Sequence, residues 1–160
     1  MKDTFINELE RSKEYFDRAT RCLTEEHSGH TPAEGMMTAA QQVAHVGQTI
    51  DWFLEGVTSD AGFDMNFAEH MVPVLAVTSL TAAREWKDKS FAAAIDYVKN
   101  TSMEDLSKPV EAGQLMVGMP KFGIAPSIAE HTAHHRGALS VYARTLGLTP
   151  AMPYMEEMPA

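Results

Sequence analysis

A long amphipathic helix near the C-terminus, with residues 128–142 in its middle, is the feature that most constrains how this chain can fold. Its apolar positions recur at spacings of three and four residues, the period of a helix that buries one side in a bundle. The residues on this stripe are Ile124, Ile128, His131, His135, Leu139, Tyr142 and Leu146. The pattern therefore predicts a helix whose buried side carries two histidines.

An imidazole in a buried position needs partners for its nitrogens, either hydrogen bonds or a metal ion. His131 and His135 are four residues apart, so their Cβ atoms are about 5–6 Å apart and both rings can reach one ion. This H-x₃-H spacing is typical of helical metal sites, and two hydrogen-bonded core histidines are the alternative. His134 is rotated by about 60° from His131, away from His135, which favours a place in the cleft over a role as ligand.

Three further helices are predicted before this one. The first covers residues 3–24. The second begins at Thr31-Pro-Ala-Glu34, because a threonine cap, a proline at the first helical position and a glutamate three residues after the cap mark a helix start. It runs to about Glu55, with Gly56 as its stop. Gly47 lies on its apolar stripe, where it would let another backbone approach closely.

The third helix covers residues 80–100, with the run Lys87–Lys89 on its exposed side. The fourth runs from about Ala125 to Leu146 and ends at Gly147 as its C-cap. Each of the long helices has one apolar face. The pattern therefore predicts an all-α chain built around four helices.

The connections and the tail carry weaker patterns. Residues 57–78 have no clear period, and His70 within them is a weaker candidate for facing the cleft. Residues 102–106 are predicted to form a short helical turn, and residues 108–123 a loop with a small hairpin or extended piece. The tail from Leu148 is rich in proline and methionine, which predicts an extended segment laid over the surface or used in an oligomer contact.

The length and charge of the chain exclude several classes of function. Its 160 residues fit one domain over residues 1–160. The net charge of −9 and the lack of any basic run argue against binding to nucleic acid or to an anionic membrane. The single cysteine, Cys22, excludes an intrachain disulfide. No signal peptide or long apolar run is present, so a cytoplasmic protein is expected.

The second helix also has an uncharged polar face. His45 lies on it beside Gln41, Gln48 and Trp52, opposite the apolar stripe, and no charged residue occurs between Gly35 and Ile50. A face without charge is not simply a solvated one. It is predicted to border a cleft or another subunit.

The histidines and the segments around them resemble those of the DinB/YfiT-like metalloenzymes. The stretches that carry the resemblance are Gln41-Gln-Val-Ala-His45, Glu130-His131-Thr-Ala-His134-His135-Arg136-Gly137, Leu146-Gly147 and Pro150–Tyr154. The resemblance covers essentially the whole chain. It implies a four-helix bundle with long crossover connections that is commonly a homodimer. It also implies a divalent ion, typically nickel or zinc, on His45, His131 and His135.

Three neutral imidazoles leave a coordination position for water or substrate, the arrangement of a catalytic metal rather than a structural one. Such an ion lowers the pKa of a water molecule towards ~7, or holds a thiolate or a carbonyl. The resemblance implies a hydrolase, or a thiol S-transferase that uses a low-molecular-weight thiol such as bacillithiol or mycothiol. A non-catalytic, stress-associated metal-binding dimer is the alternative. The candidates for lining a substrate pocket are Gln41, Gln48, Trp52, His134 and Tyr142.

Overall fold

Six α-helices occupy most of the range that the computed structural model describes, residues 1–156. They are α1 (Lys2–Thr20), α2 (Ala39–Thr58), α3 (Phe67–Leu75), α4 (Leu80–Asn100), α5 (Met103–Leu106) and α6 (Ile124–Thr145). Short 3₁₀ turns cover Glu25–His27 and Lys121–Gly123. Within residues 1–156 there is no strand, and two isolated bridges pair Pro109 with Pro120 and Val110 with Val117. The all-α prediction is confirmed.

The four long helices, α1, α2, α4 and α6, form a bundle. α2 packs against α4 and α6, and α1 packs against the same two helices. α1 and α2 therefore occupy opposite corners of the bundle, although they follow each other in the chain. The connection from α1 to α2 is long because it crosses the bundle, as predicted for a four-helix bundle with crossover connections. No helix among residues 1–156 is both long and apolar enough to span a bilayer.

The buried stripe of α6 forms one wall of the core. Ile124, Ile128, Leu139 and Tyr142 are each at most 1% exposed, as the spacing predicts. The helix ends where predicted, because Gly147 adopts a φ of 76°. This left-handed conformation turns the chain so that the amide of the next residue bonds back to the last turn.

The start of α2 differs from the prediction. The helix begins at Ala39, after Thr38, whose hydroxyl accepts a hydrogen bond from the backbone N–H of Gln41 at 3.2 Å. The Gln41 side chain in turn accepts from the backbone N–H of Thr38 at 2.9 Å. The predicted start at Thr31 is instead part of a turn, because Gly35 has a φ of 80° and reverses the chain. The sequence thus contains two consecutive capping-box patterns, Thr31–Glu34 and Thr38–Gln41, and the helix begins at the second.

The end of α2 also differs, because Gly56 lies inside the last turn and the helix continues to Thr58. A Cβ atom on Gly56 would lie 2.3 Å from the ring of Phe63, so this glycine makes room for an aromatic side chain. Gly47 allows the close approach that was predicted. A Cβ atom there would lie 3.0 Å from the backbone of Lys87 on α4.

Lys87 is buried, and the prediction that it lies on an exposed arc is wrong. It shares the inward face of α4 with Ala83, Ser90 and Ala94, because these positions are one or two helical turns apart. Its Nζ atom bonds to Asp17 on α1 and lies 2.8 Å from Asp88. The buried ammonium group of Lys87 is therefore paired with carboxylates from α1 and α4, as a buried charge must be.

The connection between α2 and α4 contains a helix that the sequence did not predict. α3 carries Pro73 inside it and packs against α2. Phe67, Val72 and Leu75 on this helix are each more than half exposed. The short turn predicted at residues 102–106 is confirmed as α5.

The tail lies over the surface of the bundle, as predicted for residues up to 156. The carbonyl of Pro153 accepts a hydrogen bond from Arg18 at 2.6 Å. The ring of Tyr154 meets that of Tyr15 edge-on at 5.3 Å, and Arg136 lies over both rings. The rest of the predicted tail, residues 157–160, lies outside the described residues.

Candidate metal centre

Three histidines from two helices meet in the bundle. α2 carries His45, and α6 carries His131 and His135 on consecutive turns. Their ring centroids are 4.5–5.1 Å apart. One nitrogen from each ring lies within 4.8 Å of the other two. The spacing within α6 brings His131 and His135 together, and the packing of α2 against α6 adds His45 as the third member of the group.

Two nitrogens in this group lack partners. Within the described residues, His45 Nδ1 and His131 Nε2 are buried and make no hydrogen bond. A buried polar atom without a partner costs about 1–3 kcal/mol, so two in one cluster call for an explanation. Imidazole nitrogens are suitable ligands for zinc, nickel and other transition-metal ions. The donor set therefore fits a divalent ion.

A relay of hydrogen bonds orients the third histidine. His135 Nδ1 lies 2.5 Å from Gln42 Oε1. Gln42 Nε2 donates to the hydroxyl of Tyr142 at 3.3 Å, and that hydroxyl donates to the carbonyl of Met37 at 2.8 Å. Because the amide oxygen of Gln42 only accepts, Nδ1 of His135 carries the proton. Its Nε2 atom is then free to accept a metal, the tautomer that such supporting groups commonly fix.

Gln42 is a member of the candidate site that the sequence patterns did not indicate. It is 7% exposed and lies three residues before His45 on α2. That spacing puts the two side chains on neighbouring turns, and a buried amide this close to a candidate ligand is a signal for a supporting role. Tyr142, expected to line a pocket, is 1% exposed and lies behind Gln42 in the relay.

A cavity of about 380 Å³ opens beside the three histidines. Gln48 and Trp52 line it from α2, as the uncharged face of that helix predicts. His70 lines it from α3. Gln41 is not among its lining residues, because its amide donates instead to the carbonyl of Leu75 at 2.9 Å. The remaining lining residues are His45, Thr49, Phe53, Phe67, Met71 and His131.

A second cavity of about 380 Å³ shares Phe53 and His131 with the first. Its wall includes Ser127, Glu130 and His134, and it is therefore the more polar of the two. The exposed ring of His134 lies 5.0 Å from that of His135. It is not part of the group of three nitrogens.

All three clustered histidines have lowered pKa values. Burial is the largest cause and lowers the pKa of His135 to about 3 and that of His131 to about 4. The neighbouring imidazoles contribute in the same direction. Burial also lowers the pKa of His45, against the opposing effect of a hydrogen bond with Gln48. The imidazoles are therefore neutral at pH 7, which leaves their lone pairs available to a metal.

The metal-free protein is expected to lose stability as the pH falls from 7 to 5. In that range the unfolded chain takes up protons on its histidines at a pKa near ~6.5, whereas folded His131 and His135 stay neutral. The unfolded state then binds more protons, so the free energy of unfolding decreases by roughly 1–2 kcal/mol for each of the two. Urea denaturation at pH 7 and at pH 5, in the presence of a chelator, measures this change in the free energy of unfolding. The double variant His131→Gln/His135→Gln should show a correspondingly smaller change, and an equal change in both proteins would contradict the assignment.

Comparison with known proteins agrees with this architecture. A sequence model of the DinB family matches residues 1–159. A DinB-like protein from Bacillus cereus is 22% identical, with 96% of this chain and 97% of that chain covered and a TM-score of 0.73. A DinB-like protein from Bacillus subtilis is 17% identical, with coverage of 98% and 96% and a TM-score of 0.63.

YfiT from Bacillus subtilis also has a similar structure, and it is a probable metal-dependent hydrolase with an unusual four-helix bundle topology. It is 13% identical, with 92% of this chain and 89% of that chain covered and a TM-score of 0.68. At these identities the three structures establish the fold. The comparison with curated protein sequences gave no match.

Proposed function

The chain belongs to the DinB family, and from that premise we propose that it is a metal-dependent hydrolase whose divalent ion, nickel or zinc, is held by His45, His131 and His135. The observation that supports this most directly is the group of three imidazole nitrogens within 4.8 Å of one another, two of them buried without partners. Three histidines with a neighbouring cavity match the pattern of catalytic sites, in which one coordination position stays open. YfiT, with its similar fold, is a probable metal-dependent hydrolase.

The residues of the chain have distinct parts in this proposal. When bound, a divalent ion supplies Lewis acidity, which polarises a substrate and makes a nucleophile available near neutral pH. His135 is held in the required tautomer by Gln42, so its ring does not need to reorient when the ion enters. The first cavity, lined by Trp52 and Phe53, receives the substrate next to His45 and His131. Hydrolysis adds one water molecule across the bond that breaks, with its hydroxyl on the electrophilic atom and its proton on the leaving group.

The proposal predicts turnover that depends on the ion. Protein loaded with nickel or zinc should hydrolyse neutral esters such as 4-nitrophenyl acetate, because the ion lowers the barrier to attack on the carbonyl. Removing the ion with a chelator should reduce the rate by at least about 100-fold, and adding it back should restore the rate. Release of 4-nitrophenolate, followed by its absorbance, measures this over a panel that also includes amides and phosphate esters.

The matched control is His27→Ala, because His27 bonds to Thr24 in the 3₁₀ turn and belongs to neither cavity. It should keep the rate that His135→Ala loses. A rate that survives chelation would contradict the proposal. A protein that binds one ion, is stabilised by it and hydrolyses none of the panel would instead be the non-catalytic metal-binding module.

A further inference from the structure

The first cavity has an apolar wall. Trp52 and Phe53 from α2 and Phe67 and Met71 from α3 supply most of it. The ring centroids of Trp52 and Phe67 are 5.8 Å apart, and those of Trp52 and Phe53 are 5.3 Å apart. Ligand pockets of about 300–1,000 Å³ are usual for small molecules. The volume of about 380 Å³ is therefore that of a site for a compact ligand.

The polar groups of this wall are largely turned away or already paired. Trp52 Nε1 donates to the carbonyl of Asp64 at 2.7 Å, so the indole offers the cavity its ring and not its N–H. His70 Nε2 lies 3.3 Å from a carboxylate oxygen of the same Asp64. Gln48 and Thr49 are the remaining polar residues of the wall besides the candidate ligands. None of the described lining residues is a lysine, an arginine, an aspartate or a glutamate.

Carboxylates border one side of this wall. A shallow depression next to the cavity shares Gln48, Trp52 and His70 with it. Four acidic residues border that depression: Asp51, Glu55, Asp64 and Glu69. An anion approaching along this side meets negative charge first. Inside, apart from a bound metal ion, it would find no lysine or arginine to replace its lost hydration.

We propose that the cavity between α2 and α3 binds a neutral, apolar part of the substrate, an aromatic ring or a short branched chain, next to His45 and His131. This rests on the proposed function, because it names the class of substrate that the metal centre acts on. An engineered apolar cavity of about 150 Å³ accommodates benzene, so the larger volume here admits a ring with substituents or two fused rings. Away from the ion, the same wall offers no ionic partner to a charged part of a substrate.

Three probes of similar size and different charge test the class of ligand. They are 1-naphthylmethanol, which is neutral, 1-naphthylmethylamine, which is a cation at pH 7, and naphthalene-1-sulfonate, an anion that is a weak ligand for metals. Titration of the protein with and without its metal ion, followed by probe fluorescence, gives the dissociation constants, and those of the metal-free protein report on the wall alone. In the metal-free protein the alcohol should bind at least about 10-fold more tightly than either ion, because the wall contains no charged side chain to replace the hydration that an ion loses. Tighter or equal binding of the cation or the anion would overturn the proposal.

Two neighbouring residues of α3 provide a matched pair of variants. Met71→Glu puts a carboxylate into the wall of the cavity, and Val72→Glu puts one on the outer side of the same helix, where Val72 is 66% exposed. Met71→Glu should weaken binding of the alcohol at least about 10-fold, whereas Val72→Glu should leave it unchanged. Circular dichroism and metal content should be the same in both. Equal binding of the alcohol by both variants would show that it sits elsewhere, and the proposal would fail.

The outcome for the cavity is separable from that for the metal-dependent hydrolase. The binding assay contains no turnover step, and chelation and turnover are measured on the same protein. Preference for the neutral probe without any hydrolysis would leave an apolar ligand site and reject the hydrolase. Hydrolysis that depends on the ion but prefers charged substrates would reject the apolar site and retain the hydrolase.

Discussion

His131→Ala and His135→Ala proteins are each expected to purify without a stoichiometric divalent ion, whereas the His134→Ala protein keeps it. His45→Ala should behave like the first two, because the three nitrogens that lie within 4.8 Å of one another come from His45, His131 and His135. Loss of one of three protein ligands leaves only two, which is too few for tight binding at a site of this kind. Elemental analysis after purification, with metal expressed per polypeptide, measures the result.

The control variant is chosen from the same run of the chain. His134 is adjacent to His135 in sequence and its ring lies only 5.0 Å away, but it faces the second cavity. Its removal should therefore leave the metal content near that of the unmodified protein. A full complement of metal in the His135→Ala protein would refute the assignment of the ligands. Helix content from circular dichroism distinguishes loss of the ion from loss of the fold.

Gln42→Leu is expected to weaken metal binding by about 10–100-fold, the range found when groups that orient metal ligands are removed. Leucine cannot accept the hydrogen bond from His135 Nδ1, which is 2.5 Å long. The His135 ring then has no group that selects its tautomer. Competition with a chromogenic chelator gives the dissociation constant of nickel or zinc for each protein.

A conservative variant and a neighbouring one separate orientation from general damage. Gln42→Glu keeps an acceptor oxygen for His135 and should retain most of the affinity. Gln41→Leu removes an amide that bonds to Leu75 and caps α2, so it should change stability more than metal affinity. Equal affinity in Gln42→Leu and the unmodified protein would mean that the relay does not orient the ligand.

The fold was predictable where local pattern and packing agree. α4 was expected over residues 80–100 and is observed over Leu80–Asn100, because its apolar period is regular and Ser79 caps its first turn. α3 was not predicted, because Pro73 and an irregular period conceal a helix that packing against α2 stabilises. The start of α2 depended on which of two capping patterns the chain uses. That choice is made by contacts such as the bond from the amide of Ala39 to the carbonyl of His30, which no local pattern encodes.

The candidate site was predictable to the extent that it is local. His131 and His135 belong to one helix, so their spacing alone brings their rings together. His45 comes from a distant segment, and the resemblance to a family supplied it where the helical period left it unexplained. Gln42 was missed because α2 is buried on more than its apolar stripe, a result of its position between α4 and α6. Lys87 was misplaced for a similar reason, since its partner Asp17 lies on another helix.

The order of the helices along the chain affects when during synthesis the site forms. α1 packs most extensively against α6, the last helix of the chain, and two of the three clustered histidines lie on α6. A chain emerging from the ribosome at about 5–20 residues per second exposes His45 several seconds before the other two histidines. During that interval α1 lacks its most extensive packing partner, α6, and His45 lacks the two histidines with which it clusters. The three-histidine group is therefore complete only after translation has passed α6, so any ion that needs all three ligands binds late, when the bundle closes.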